Sequence, residues 1–583
     1  TDLTPVTANT SIEKVEEDAP SRWTRAKAWT KDHQTAVTLG AAAVWGAMAG
    51  AGVMWSAEAS AQSDRATRVP TARTVAGVVR GALLETGITR FAGIPFAAPP
   101  VRERRWKPPQ PVARWAGVRA ADRFGPQCMQ ARDFADMVFR NDGTSEDCLY
   151  LNVWTPATTP PTRMPVLVYF YGGGFTAGDG SEPRYDGENV ARRGVVVVTM
   201  SYRLGIFGSF SHPELSAEST PRASGNYGLM DQAAALRWVQ ANIASFGGDP
   251  ARVTIAGESA GSFSVSALMA SPMSKALIAG AIGESGAFFG ATLSALPLAR
   301  SEENGVNFAK AVGATSLAQL RALSSHELLA AASRRGVPRF GPNVDGVFFP
   351  EAPPAIYAAG RQARVPLLAG WNSEESSGRS VVANPTPENL AVSLNRIFGT
   401  LGTEALTVYG GTTTLEVARA ATDLASDQFI GFGTWKWLEE HGRSGQPVYR
   451  YFYSRARPPV VTPSPNANAN ASTNPWAAIP GGAAHSAEIE YAMGNLARNT
   501  VFAWTDDDRA VSATMMTYFV NFVKSGNPNG AGVPEWPRGH PDANGVVTRM
   551  RIDVQSRAER EPRERYLFLQ RARSEEHTSE LQS

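Results

Sequence analysis

The chain is poor in cysteine, nearly balanced in charge and without a phosphate-binding loop, and each shortage removes a class of protein. Two cysteines in 583 residues build neither a disulfide scaffold nor a Cys-rich zinc site. Lys+Arg 56 against Asp+Glu 54 leaves +2, so there is no basic excess to follow nucleic-acid phosphates. No G-x-x-x-x-G-K-[ST] occurs, which excludes a P-loop. Charged residues make up 19% and hydrophobic residues 43%. That balance suits a globular protein and excludes a disordered one. A prior of about 150 residues per domain suggests about four domains, but large α/β enzymes break it.

The two ends read differently from the middle. Residues 1–34 are polar and carry both charges. Arg25, Lys27 and Lys31 precede an uncharged run from Thr35 to Ala57, and Ala59-Ser60-Ala61 follows it. The order basic, apolar, small-residue reads as a secretory signal within residues 1–61, cleaved near Ala61. The expected destination is the periplasm or the outside. A retained N-terminal membrane anchor is the competing reading, since the run is long enough to cross a bilayer. At the other end, residues 573–583 resemble the translation of a sequencing-library adapter, and His577 with them is set aside from the fold.

From residue 69 to 570 there is no linker, repeat or composition break. Buried strands are expected at Pro165 to Tyr171, Val195 to Met200, Val253 to Ala256, Val365 to Ala369 and Val448 to Tyr453. Between them, Leu229, Ala233, Leu236, Val239 and Ile243 recur at helical spacing, and Gly247-Gly248 stops that helix. Short buried strands alternating with helices predict an α/β domain with a large parallel or mixed sheet. Asn384 to Leu438 and Thr517 to Lys524 read as helical, suited to a cap over the sheet's end. Pro458 to Gly482, rich in Pro, Asn and Ala, reads as a long loop.

Gly257-Glu258-Ser259-Ala260-Gly261 fits G-x-S-x-G. The motif alone is weak, but a strand precedes it and Ser262 to Ala270 continues as a helix. Such a turn lifts the Ser259 hydroxyl into a cleft and aims the Ala260 N–H at the same point. Gly172-Gly173-Gly174-Phe175 directly follows another strand. Bare backbone there can approach a ligand closely. Gly173, Gly174 and Ala260 are therefore the expected N–H donors to the oxyanion of acyl transfer. A Gly-rich turn or a phosphate cradle is the bland alternative, but the cradle normally brings a Lys or a helix N-terminus.

A serine hydroxyl needs a general base, usually His. Seven histidines are present, and the elbow's chain order is Ser, acid, His. His441 ends a helix, where it can simply face the dipole. His326 opens a Ser-rich helix, and His540 sits in a Gly/Pro turn. His485, at a loop-to-helix junction, is the preferred base. The acid is expected at Glu374 or Glu375, just past a strand end, where a parallel sheet binds its ligands. Residue types alone leave the two open.

Taken together the residues resemble the type-B carboxylesterase family, which includes cholinesterases, bacterial carboxylesterases and non-catalytic neuroligins. The matching segments are Phe91 to Pro100, Ser145-Glu-Asp-Cys-Leu-Tyr-Leu-Asn-Val-Trp154, Tyr171-Gly-Gly-Gly-Phe175, Asn226-Tyr-Gly-Leu-Met-Asp-Gln232, Phe246-Gly-Gly-Asp-Pro250, Gly257 to Gly261 and His485-Ser-Ala-Glu-Ile-Glu490. The resemblance runs from about Val75 to Leu569. It implies an α/β-hydrolase fold with a mixed, mostly parallel central sheet and helical insertions. It also implies hydrolysis of a small-molecule ester, with no metal or other cofactor and no nucleic-acid partner. It places a triad on Ser259, Glu375 and His485, with Glu375 chosen by aligning Gly370-Trp-Asn-Ser-Glu-Glu-Ser on the family's Gly-x-Asn-x-Asp-Glu-Gly. Ser376 departs from the family's Gly. Glu258 and Ser285 match supporting positions.

The same resemblance implies a Cys128–Cys148 disulfide, which export permits, and an Arg105–Glu146 ion pair tethering that loop. It argues against choline esters. The cage for a quaternary ammonium is aromatic, and Met129 to Asp147 holds Phe134 and Phe139 but no Trp. Trp435, Trp437 and Trp476 could line a pocket, but aromatic residues are more often plain core. A binding protein on the same fold, or a hydrolase of amides, thioesters or bulky esters, are the competing functions. Acyl preference and oligomeric state are left open.

Overall fold

A computed structural model describes residues 69–131, 134–156, 163–290, 292–462, 476 and 479–582. The signal-like run, its cleavage point near Ala61 and most of the Pro/Asn/Ala-rich loop lie outside the described residues. No helix among the described residues is long and apolar enough to cross a membrane.

The frame is one sheet of eleven strands. In chain order they are β1 (Ala82–Leu83), β2 (Ile88–Pro95), β3 (Tyr150–Pro156), β4 (Met164–Phe170), β5 (Val196–Met200), β6 (Gly248–Glu258), β7 (Gly280–Glu284), β8 (Leu367–Asn372), β9 (Val448–Tyr453), β10 (Thr548–Ile552) and β11 (Arg557–Arg560). Their spatial order is β11-β10-β9-β8-β7-β6-β4-β5-β3-β2-β1. The block from β10 to β5 is parallel throughout. Antiparallel pairs finish both edges. Strands β5, β7, β8 and β9 are buried along their whole length, which is why they read as unbroken apolar runs. Helices α1 (Tyr227–Asn242), α2 (Ala260–Ala270) and α5 (Asp506–Ser525) pack on the sheet. Helices α3 (Thr414–Ser426) and α4 (Phe432–Gly442) belong to the expected helical block. Helix α6 (Glu564–Gln582) continues through the adapter-like tail segment.

The expected strands all occur, with ends shifted by a few residues. The edge strands escaped the pattern for a physical reason. Strand β10 reads Thr-Arg-Met-Arg-Ile, and its arginines look solvated. In the fold, Arg549 is buried, pairs with Glu559 at 2.8 Å and lays its guanidinium 4.0 Å from the Phe452 ring centroid. Ion pairing and a cation–π contact make a buried strand from a charged sequence.

Candidate active site

The carboxyl ends of the parallel strands gather every polar group of interest at one edge, as this topology does in general. Strand β6 ends at Glu258 and α2 begins at Ala260, leaving Ser259 alone on the corner. Its φ is 54° and its ψ −122°, a costly conformation for a side-chain-bearing residue. Two neighbours hold it there. The Ser259 N–H donates to the Glu284 carbonyl at 2.8 Å. Gly261 lets the helix approach β4, since a Cβ at that position would overlap the Phe170 carbonyl oxygen.

His485 comes from the connection between β9 and α5. Its Nε2 lies 2.9 Å from Ser259 Oγ and its Nδ1 lies 2.5 Å from Glu375 Oε2. Ser259 and His485 are half-buried, so reagents can reach them, whereas Glu375 is buried. The other Glu375 oxygen accepts from the Asn372 N–H at 2.6 Å and from Ser285 Oγ at 2.6 Å. Glu374 turns the other way and accepts from the Gly482 N–H at 2.6 Å. Geometry thus separates the two glutamates that residue types leave open.

The remaining histidines stand elsewhere. His441 is buried with Nε2 2.8 Å from the Val365 carbonyl, and burial pushes its pKa down to about 4. His540 Nε2 lies 3.0 Å from the Gln446 carbonyl. His326 sits in the first turn of the helix Ser325–Ala332. The tryptophans offered as pocket aromatics are core. Trp435 donates to Glu561 at 3.1 Å, Trp437 is fully buried, and Trp476 donates to the Ala383 carbonyl at 2.9 Å.

The Gly172–Gly174 turn leaves β4 beside the serine. Gly173 has φ +104°, and a Cβ there would overlap the Ala177 carbonyl. The N–H groups of Gly173, Gly174 and Ala260 have no acceptor among the described residues. Three unused donors near one hydroxyl suit an oxygen that gains negative charge.

A second ring of carboxyls surrounds the imidazole. Glu258 Oε1 lies 3.3 Å from His485 Nε2. Glu488, which lies in the matched segment His485 to Glu490 but to which the sequence assigns no role, accepts from Asn372 Nδ2 at 2.5 Å and from Ser285 Oγ at 3.2 Å. Burial pushes the Glu258 carboxyl up to about 8 and that of Glu488 up to about 7. Burial acts on His485 in the opposite sense, but the Glu258 and Glu375 carboxylates outweigh it and raise the imidazole to about 10. The cluster therefore favours the imidazolium, the form a base reaches after taking a proton.

Cys128 and Cys148 are disulfide-bonded. Arg105 forks onto both Glu146 oxygens at 2.6 Å, a bidentate geometry that fixes orientation as well as charge. It also donates to the Arg321 and Leu323 carbonyls at 3.1 and 2.7 Å. The disulfide loop opens a cavity of about 460 Å³, lined by Gln127, Gln130, Phe134, Met137, Phe139 and Ala177 among others.

A strand–serine–helix corner on a mostly parallel sheet, with a Gly-rich turn beside it, defines the α/β-hydrolase class. Within that class, a sequence profile of the Carboxylesterase family matches residues 67–568. The chain belongs to that family, and the relatives named below are esterases. It is 34% identical over 521 residues to the fumonisin B1 esterase of Sphingopyxis macrogoltabida, covering 86% of this chain and 90% of that one. It is 32% identical over 519 residues to the para-nitrobenzyl esterase of Bacillus subtilis, covering 84% of this chain and 96% of that one. Among solved structures, a carboxylesterase of Geobacillus stearothermophilus superposes with a TM-score of 0.71 at 30% identity, covering 85% of this chain and 98% of that one. A PNB esterase superposes at 0.70 and 31% identity, covering 86% of this chain and 99% of that one.

Proposed function

We propose that the chain hydrolyses small-molecule carboxylic esters through a covalent acyl-enzyme on Ser259. One observation carries this reading. A hydroxyl on a strained corner, an imidazole 2.9 Å away and a carboxylate 2.5 Å beyond form one hydrogen-bonded line. Ser259 Oγ attacks the carbonyl carbon while His485 Nε2 takes the hydroxyl proton. Glu375 holds the ring by Nδ1 and stabilises its charge. The N–H groups of Gly173, Gly174 and Ala260 take the oxyanion. As the tetrahedral centre collapses, the C–O bond to the alcohol breaks and His485 returns its proton to the departing oxygen. Water repeats the sequence on the acyl-enzyme and frees the acid. Ser285 and Asn372 keep Glu375 aimed, and Glu258 adds a second carboxylate to the imidazolium.

The test is hydrolysis of a short and a medium p-nitrophenyl ester by the protein and by Ser259→Ala. Turnover by the first and its loss in the second support the reading. Equal turnover by both, or none by a folded wild type, counts against it. A purely adhesive role has no use for a strained serine aligned with a base, and it predicts the second negative result.

The signal-like N-terminal order and the Cys128–Cys148 disulfide support export, since such bonds persist in oxidising compartments. N-terminal sequencing of the protein recovered from cells tests cleavage near Ala61. An uncleaved protein in the membrane fraction would favour the anchor.

A further inference from the structure

Helices α3 and α4 are one run interrupted by a single π-helical turn, Asp427–Gly431, in which the Phe432 N–H donates to the Asp427 carbonyl five residues back. Such a turn adds one residue to the helix, rotates the side chains around it, and recurs at functional sites. Here Asp427, Ile430 and Gly431 stay buried while Phe429 is half-buried. The Phe429 ring centroid lies 5.3 Å from that of His485, with the planes at 71°. No other aromatic ring packs on His485 among the described residues.

The turn is fixed from both sides. The Phe429 carbonyl accepts the Thr292 hydroxyl, from the segment after β7. Asp427 accepts Tyr409 OH at 3.0 Å, and Arg565 Nε lies 3.1 Å from the same carboxylate oxygen. Arg565 also pairs with Asp423. A buried, doubly partnered anchor two residues before Phe429 leaves that ring little freedom.

His485 has a use for such a wall. Glu375 grips the ring only at Nδ1, which leaves it free to tip about that bond. Its Nε2 has two oxygen partners to choose from: the Ser259 hydroxyl at 2.9 Å, which donates to it, and Glu258 Oε1 at 3.3 Å, which pairs with it once it is protonated. Only the first leads to chemistry under the mechanism proposed above. We infer that Phe429 is a positioning residue, held by the π turn, which braces the imidazole so that Nε2 addresses Ser259 rather than Glu258. The edge-to-face arrangement is the one aromatic rings prefer, so the brace also attracts.

This inference rests on the Ser259–His485 reading, and one set of assays separates the two. Phe429→Ala, Phe429→Leu and Phe429→Tyr are compared with wild type on p-nitrophenyl acetate, with far-UV circular dichroism as the folding control. Leu fills the space without the flat ring, and Tyr keeps the ring. The expected result is a fall in kcat of roughly tenfold or more for Ala, as misplacement of a reacting group brings. Leu falls less and Tyr stays near wild type, with KM nearly unchanged in all three. In Ala and Leu the acid limb of kcat/KM moves to higher pH, because a ring released toward Glu258 holds its proton more tightly. Wild-type kcat and pH profile in Leu or Ala overturn the inference. So does a change in KM alone, which would make Phe429 a substrate contact. Absence of turnover in wild type instead overturns the proposed function.

Discussion

Glu258 Oε1 lies 3.3 Å from His485 Nε2, on the same nitrogen that faces the serine. A carboxylate so near the reacting nitrogen is a second counter-charge for the imidazolium, added to Glu375 at the other nitrogen. Burial raises Glu258 and the neighbouring carboxylates raise His485, so the two groups share protons and titrate as a unit.

Removing the Glu258 charge has a signed consequence. The carboxylate raises His485. Glu258→Gln therefore lowers the imidazole's affinity for its proton and moves the acid limb of the kcat/KM profile to lower pH. At the same time kcat falls, because the imidazolium loses a partner. The profile of p-nitrophenyl acetate hydrolysis reads both. A limb that does not move would show that Glu258 is protonated throughout and exerts no field on the base.

Glu488 is predicted to make stability depend on pH. Burial, with the neighbouring Glu375 charge, raises its carboxyl from 4.5 to about 7. In that window the folded state binds more protons than the unfolded one, so stability falls as pH rises through it. Glu488→Gln removes that slope. Tm measured across the window is expected to decline less steeply in the variant than in wild type, and parallel curves would contradict the assignment.

The oxyanion turn is predicted to tolerate no side chain at Gly173, where φ is +104° and the Ala177 carbonyl occupies the Cβ position. Gly173→Ala must shift the turn and its N–H. Loss of one such donor costs about 10² to 10³ in kcat, and steady-state kinetics on the same ester check it. Wild-type kcat would mean that Gly173 donates nothing to the reaction.

The Cys128–Cys148 bond closes a loop with a sequence separation of 20. Loop-closure entropy puts its contribution at about 3 kcal/mol. Equilibrium denaturation of wild type and Cys128→Ser/Cys148→Ser is expected to differ by about that amount, with p-nitrophenyl acetate turnover largely retained at low temperature. Loss of turnover without loss of stability would give the loop a direct role at the site.

Much of the architecture is legible in the chain because parallel strands buried on both faces must be apolar throughout. Strand β9, Val448–Tyr453, matches the sequence reading residue for residue. The edges were not legible, since Arg549 and Arg551 carry the charge pattern of a surface and are neutralised by Glu559 on the adjacent strand β11, directly opposite Arg549. At the site, the serine corner and His485 announce themselves by local glycine and chain order. Glu374 and Glu375 are equivalent as letters. Only the direction of the chain after Asn372 sends one to His485 and the other to the Gly482 N–H. Glu488 lies inside the matched segment His485 to Glu490 but carries no role there, and Phe429 left no signal. One acts through a tertiary hydrogen-bond network, and the other depends on a π turn that no hydrophobic period encodes.

The central claim is that Ser259 becomes acylated. Rapid mixing with p-nitrophenyl acetate, acid quench and peptide mass spectrometry test it most directly. The account predicts an acetyl group on the peptide containing Ser259, accumulating within the first turnover when deacylation is the slower step. Trapping with a phosphonate ester is predicted to mark the same oxygen. Label on another residue, or turnover by a folded Ser259→Ala protein at the wild-type rate, would contradict it.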